Sequence, residues 1–110
     1  MPFQGPPPDI LQSWYPEIVD FVHRVRAAYR ICPMGCTSWW RSVARNRQVG
    51  GNEYSQHLIA TAADLYPAQG FNLDQLHAAL RGAGLGTVRY RTHIHAQLHR
   101  AGYLARWALD

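Results

Sequence analysis

Ser55-Gln56-His57-Leu58-Ile59-Ala60-Thr61-Ala62-Ala63-Asp64-Leu65-Tyr66 is the stretch on which the fold turns. Ser55 to Leu58 is polar and loop-like. Ala60 to Tyr66 is an apolar run of strand length, although an Ala-rich run also suits a helix. His57 and Asp64 are seven residues apart. On one straight strand they would point to opposite faces, so a turn must lie between them if both serve one ion. A loop carrying His57 and a strand carrying Asp64 meet that condition. Downstream, His93-Ile94-His95 sets two imidazoles at i and i+2, which share a face on a strand. Two His and one Asp suffice to hold a catalytic zinc with its fourth position open.

Outward from this stretch, the chain reads as helices followed by a sheet. Met1 to Pro8 is a Pro-rich lead-in, expected to be extended. From Asp9, apolar residues recur at helical spacing through Trp14, Ile18, Phe21, Val22, Val25 and Ala28, with a break near Pro16. Ile31 to Cys36 reads as a turn and Cys36 to Trp40 as an extended run. Arg41 to Gln48 suits one or two helical turns, ended by Gly50-Gly51-Asn52. Asn72-Leu73-Asp74-Gln75 opens a further helix with an N-cap residue and a Gln three positions on, and Gly82 or Gly84 stops it. Thr87 to Tyr90, Thr92 to His99 and Tyr103 to Leu109 read as strands. The expected class is α+β: a small, mainly antiparallel sheet with N-terminal helices and one inserted helix.

With 110 residues, 47% hydrophobic and 16% charged, the chain suits one globular domain, here residues 9–110 behind the 1–8 lead-in. All 11 basic residues are Arg, and the net charge is +4. A complete absence of Lys fits coding bias better than function. The basic surface suits an anionic partner without choosing among wall polymer, nucleic acid and acidic peptide. Cys32 and Cys36 lack the spacing and the second pair of a thiolate zinc site. They fit either a local disulfide or two free thiols. No apolar run approaches membrane-spanning length. The N-terminus has no secretory pattern, so the expectation is a cytoplasmic product at synthesis.

A family resemblance rests on residues that occur in order. They are Thr37-Ser38-Trp39-Trp40-Arg41-Ser42, Asn46, Val49-Gly50-Gly51, Ser55-Gln56-His57-Leu58 and Ala62-Ala63-Asp64. This resembles the zinc D-alanyl-D-alanine carboxypeptidase family. Its pattern is Ser-x-x-Arg-Ser, then Ser-x-His-x-x-Gly-x-Ala-x-Asp, then a final His. His93-Ile94-His95 is similar to the His-x-His of the wider group that adds lysostaphin-type endopeptidases and the hedgehog domain. The likeness covers roughly residues 36–98. It implies that His57, Asp64 and His95 ligate Zn2+, with Ser55 supporting the site from behind. It implies a catalytic His93 that handles the proton or stabilises the oxyanion, and an Arg41 that binds a substrate carboxylate or the oxyanion. Peptidoglycan stem peptides are the implied substrate.

The pattern is departed from at three places. Ala60 replaces Gly, which costs energy if the position needs positive φ. Thr92 stands where many members have Glu, and Gln97 where others have Asp; Gln cannot act as a base. His93 is then the nearby proton acceptor, with Glu53 a distant second. The expectation is a zinc metallopeptidase of peptidoglycan peptides, a D,D-carboxypeptidase or endopeptidase of the phage-type lysin kind. It would be monomeric, with no nucleic-acid partner, reaching the wall by lysis or on a virion. The alternative is a catalytically impaired, zinc-stabilised domain with a structural or wall-binding role. Trp39 and Trp40 are read as core and cleft wall, and His23, His77 and His99 as helix-face or rim residues.

Overall fold

A computed structural model describes residues 4–98. His99 and the strand expected at Tyr103 to Leu109 lie outside the described residues. The helices come first. α1 spans Pro8–Ser13 and α2 spans Tyr15–Ile31. Pro8 and Pro16 both sit in a first helical turn, where the missing N–H costs nothing. Pro16 therefore starts α2, and the break itself falls at Trp14, whose backbone leaves the helical region. α2 buries Ile18, Phe21 and Ala28 on one face.

Four antiparallel strands follow: β1 Met34–Ser38, β2 Ala62–Pro67, β3 Leu85–Arg89 and β4 Ile94–Leu98, in the spatial order β1-β2-β4-β3. β1 begins at Met34, earlier than the Cys36 expected from its residues, because Gly35 pairs with Tyr66. A side chain at Gly35 would run into the Tyr66 ring, so glycine here permits the pairing. Between β1 and β2 lie the short α3, Val43–Gln48, and a single 3-10 turn, Gln56–Ile59, in place of the loop expected there. α4, Leu73–Gly82, carries the anticipated capping box: Asn72 and Gln75 exchange side-chain-to-backbone bonds of 2.8 and 2.9 Å. Gly84, at φ +83°, provides the left-handed residue after it. The class is α+β, as the sequence suggested.

Period-2 alternation divides the sheet into two working faces. Ala63 and Leu65 of β2, Leu85 of β3, and Ile94, Ala96 and Leu98 of β4 are buried with Ile18, Phe21, Leu76, Ala79 and Leu80 of the helices. The intervening positions Asp64, His95, Gln97, Gly86 and Val88 face away from that core. Helices thus cover one face, and the polar candidates emerge on the other. Burying the Leu, Ile and Phe side chains of this core, at ~1.5–3 kcal/mol each, drives this arrangement against chain entropy.

Candidate metal centre

Asp64 and His95 are direct cross-strand partners in the β2–β4 ladder. Their register alone sets the carboxylate beside the imidazole, and His95 Nδ1 lies 3.2 Å from Asp64 Oδ1. His57 arrives from a different direction. Ser55 caps the 3-10 turn by accepting the His57 backbone N–H at 3.2 Å. Ala60 closes the turn at φ 60° and sends the chain into β2. The position that the family pattern gives to Gly does therefore need positive φ, and Ala tolerates it at a cost of ~1–2 kcal/mol.

The turn is clamped from outside. Trp39 Nε1 donates to the Ala60 carbonyl at 2.8 Å, and Trp40 Nε1 to the Leu58 carbonyl at 3.1 Å. The Arg41 backbone N–H donates to the His57 carbonyl at 3.1 Å. These bonds compensate for the strain by fixing several carbonyls at once. Both Trp residues pack against the core, and neither lines the cavity over the site. Trp39 also supplies its own carbonyl to His57 Nδ1, at 2.5 Å. A carbonyl only accepts, so Nδ1 carries the hydrogen and Nε2 keeps its lone pair.

That Nε2 atom is fully buried and has no hydrogen-bond partner among the described residues. Asp64 Oδ1 stands 3.5 Å away, too far to satisfy it. A buried lone pair left without a donor is costly in a neutral core and natural beside a cation. One ligand atom from each of His57, Asp64 and His95 falls within 4.8 Å of the others. Tetrahedral zinc with bonds of about 2.0–2.2 Å separates neighbouring ligand atoms by about 3.3–3.5 Å. The 3.5 and 3.2 Å edges through Asp64 fit that figure. Two imidazoles and one carboxylate are a donor set that suits zinc.

Arg41 is tied to the same carboxylate. Its Nη2 donates to Asp64 Oδ2 at 2.9 Å and its Nε to Ser38 Oγ at 3.1 Å. Arg41 thus occupies one carboxylate oxygen and leaves the other to the imidazoles. Burial pushes the Asp64 carboxyl up, but the His57 and His95 imidazoles beside it hold it well below the usual carboxylate range. Burial lowers His95, but bonds to Asp64 and Gln97 outweigh that and raise it above 6.5.

His93 precedes β4 in the turn from β3, where Tyr90 N–H donates to the His93 carbonyl at 2.9 Å. Its ring stacks on Tyr90, with centroids 4.8 Å apart, and Nδ1 meets Thr92 Oγ1 at 3.0 Å. His93 and His95 line one cavity of about 740 Å³, together with Arg41, Ser55, His57, Asp64 and Gln97. Glu53 is not among its lining residues, so nothing places that carboxylate at the site. His77 of α4 bonds Thr87 Oγ1 at 2.9 Å and is not among the residues lining the cavity. Both cysteines are free thiols, and Cys36 is pushed up to about 11 by burial, far from thiolate chemistry.

Gln97, marked in the sequence only as a departure from the family's Asp, bonds His95 Nε2 at 2.9 Å. The Trp39 carbonyl had no signal at all, because a backbone acceptor is chosen by tertiary approach. The tyrosines at the cavity, Tyr54 and Tyr90, were likewise unmarked by any motif.

No curated protein and no solved structure matches the chain. A family model, described as Peptidase M15, matches residues 5–97, which include every residue of this site. The chain belongs to the Peptidase M15 family, the zinc D-alanyl-D-alanine carboxypeptidase family.

Proposed function

We propose that this protein is a zinc-dependent peptidase that hydrolyses amide bonds in peptidoglycan peptides, as a D,D-carboxypeptidase or an endopeptidase. The observation that carries the reading is the orphaned Nε2 of His57, buried beside Asp64 and His95 at an open cavity. His57 through Nε2, Asp64 through Oδ1 and His95 through Nδ1 would hold the metal. When bound, zinc polarises a carbonyl and acidifies water, which is what amide hydrolysis needs.

The chain's own residues supply the rest. Arg41 holds Asp64 in one orientation, and its remaining N–H donors face a developing oxyanion or a substrate carboxylate. With His93 Nδ1–H donating to Thr92 Oγ1, Nε2 is the nitrogen left to accept a proton from water and return it to the leaving amine. Asp64 is the sole carboxylate lining the cavity among the described residues, and its pairing with Arg41 and both ligand rings excludes it as a base. Val49, Tyr54, Val88 and Tyr90 provide an apolar rim against which a peptide can lie. No helix of the described residues is long and apolar enough to cross a membrane, and action on the wall after lysis or from a virion is part of this proposal.

Digestion of purified peptidoglycan, with the new termini identified, tests the reading. Released D-Ala marks a carboxypeptidase, and new internal termini mark an endopeptidase. His93→Ala should lower kcat by about 10²–10⁴-fold with zinc content unchanged. Undiminished turnover by that variant would remove the role given to His93. A second reading, a zinc-stabilised domain without turnover, is favoured by Thr92 and Gln97 standing where acids occur elsewhere. Loaded wild-type protein that leaves peptidoglycan intact would establish it.

A further inference from the structure

We infer that Gln97 is a metal-positioning residue, which selects the ring nitrogen that His95 offers to the ion. The inference rests on the zinc reading above. Gln97 sits two residues after His95 on β4, so both side chains rise from the same face. The cross-strand neighbours of Gln97 are Ala62 and Gly86, both small. Those of His95 are Asp64 and Val88. The long amide therefore meets little on either side and turns along its own strand to His95.

There its Oε1 meets His95 Nε2 at 2.9 Å. An amide oxygen only accepts, so Nε2 carries the hydrogen. The neutral ring then presents its lone pair at Nδ1, the nitrogen 3.2 Å from Asp64 Oδ1. The two ligand imidazoles are thus set in opposite senses by two neutral oxygens. The Trp39 carbonyl holds Nδ1–H of His57, and the Gln97 amide holds Nε2–H of His95. Without Gln97, His95 is free to take the other tautomer, with hydrogen on the metal-facing nitrogen, or to turn its ring. A carboxylate at the same place would make the bond charge-assisted and the imidazole a stronger donor to the ion.

The test is zinc affinity of the full chain, measured by competition with a chromophoric chelator, for wild type, Gln97→Met, Gln97→Glu and His57→Ala. Methionine keeps the length of the side chain but loses the acceptor. Gln97→Met should bind zinc about 10- to 100-fold more weakly. Gln97→Glu should bind it at least as tightly as wild type, because a carboxylate oxygen also accepts from His95 Nε2–H. Metal-free melting curves report whether each variant is folded. Wild-type affinity in folded Gln97→Met overturns the inference while leaving the metal site standing, provided His57→Ala loses zinc. If Gln97→Met does not fold, weaker binding by folded Gln97→Glu overturns it instead. Failure of wild type to bind one zinc per chain, or retention of zinc by His57→Ala, overturns both the inference and the reading beneath it.

Discussion

Asp64→Asn separates what the carboxylate does for the fold from what it does for the metal. In the metal-free protein Asp64 accepts from Arg41 at 2.9 Å, and the two side chains are 13% and 17% exposed. At that burial the pair is not a surface salt bridge, and losing a hydrogen bond to a charged group costs about 1.5–3 kcal/mol. The variant keeps an oxygen that Arg41 can reach, so the lower half of that range, about 1.5–2 kcal/mol, is expected. For a chain of this size the melting temperature falls by about 6–16 °C. The sign with pH follows from the depressed carboxyl of Asp64. Its contribution is complete above the unfolded value, near 3.8, and is lost as pH falls through the lower folded value. The gap between wild type and Asp64→Asn should therefore be full at pH 7 and close at strongly acid pH. Thermal unfolding in chelator across that range measures it. Zinc should raise the melting temperature of wild type far more than that of the variant, since an anionic ligand has been lost. Equal metal-free stability at pH 7 would refute the energetic role of the Arg41 pair. An equal zinc-induced rise would refute Asp64 as a ligand.

Two more outcomes follow from the same geometry. Because His95 is raised above 6.5 in the metal-free fold, its stabilising charge is present below 6.5 and disappears as pH rises through the folded value. Zinc requires the neutral ring, so binding should release more protons at pH about 6.5 than at about 8.5, and affinity should fall with acidity. Calorimetry in buffers of different ionisation enthalpy reads the release; buffer-independent heats at the lower pH would contradict it. Ala60, buried at φ 60°, tolerates strain of ~1–2 kcal/mol. Ala60→Gly relieves that but loses a buried methyl group and stiffens the chain less, so stability should change by under about 1 kcal/mol. Ala60→Val should destabilise by more than about 2 kcal/mol, and denaturant unfolding that finds the two variants alike would show that the turn does not constrain this residue.

The amphipathic periods and the capping box of α4 were legible because they are local: spacing along the chain decides which face is apolar, whatever packs against it. Strand bounds were less so, since β1 extends to Met34 only because Gly35 lets the Tyr66 ring cross it. The α+β class and the candidates His57, Asp64 and His95 came from the sequence, the last on residue chemistry and a matching pattern. The tertiary structure decided which atoms of those residues meet. Antiparallel register put Asp64 opposite His95, and the left-handed Ala60 returned His57 to the same point. It also decided the tautomers, through the Trp39 carbonyl and the Gln97 amide, and tied Arg41 to the carboxylate. A sequence records donors and acceptors, but a hydrogen bond or a ligand edge is a distance. Between residues 18 or 31 positions apart, as for His57 to Trp39 and His95 to Asp64, only the folded chain sets that distance.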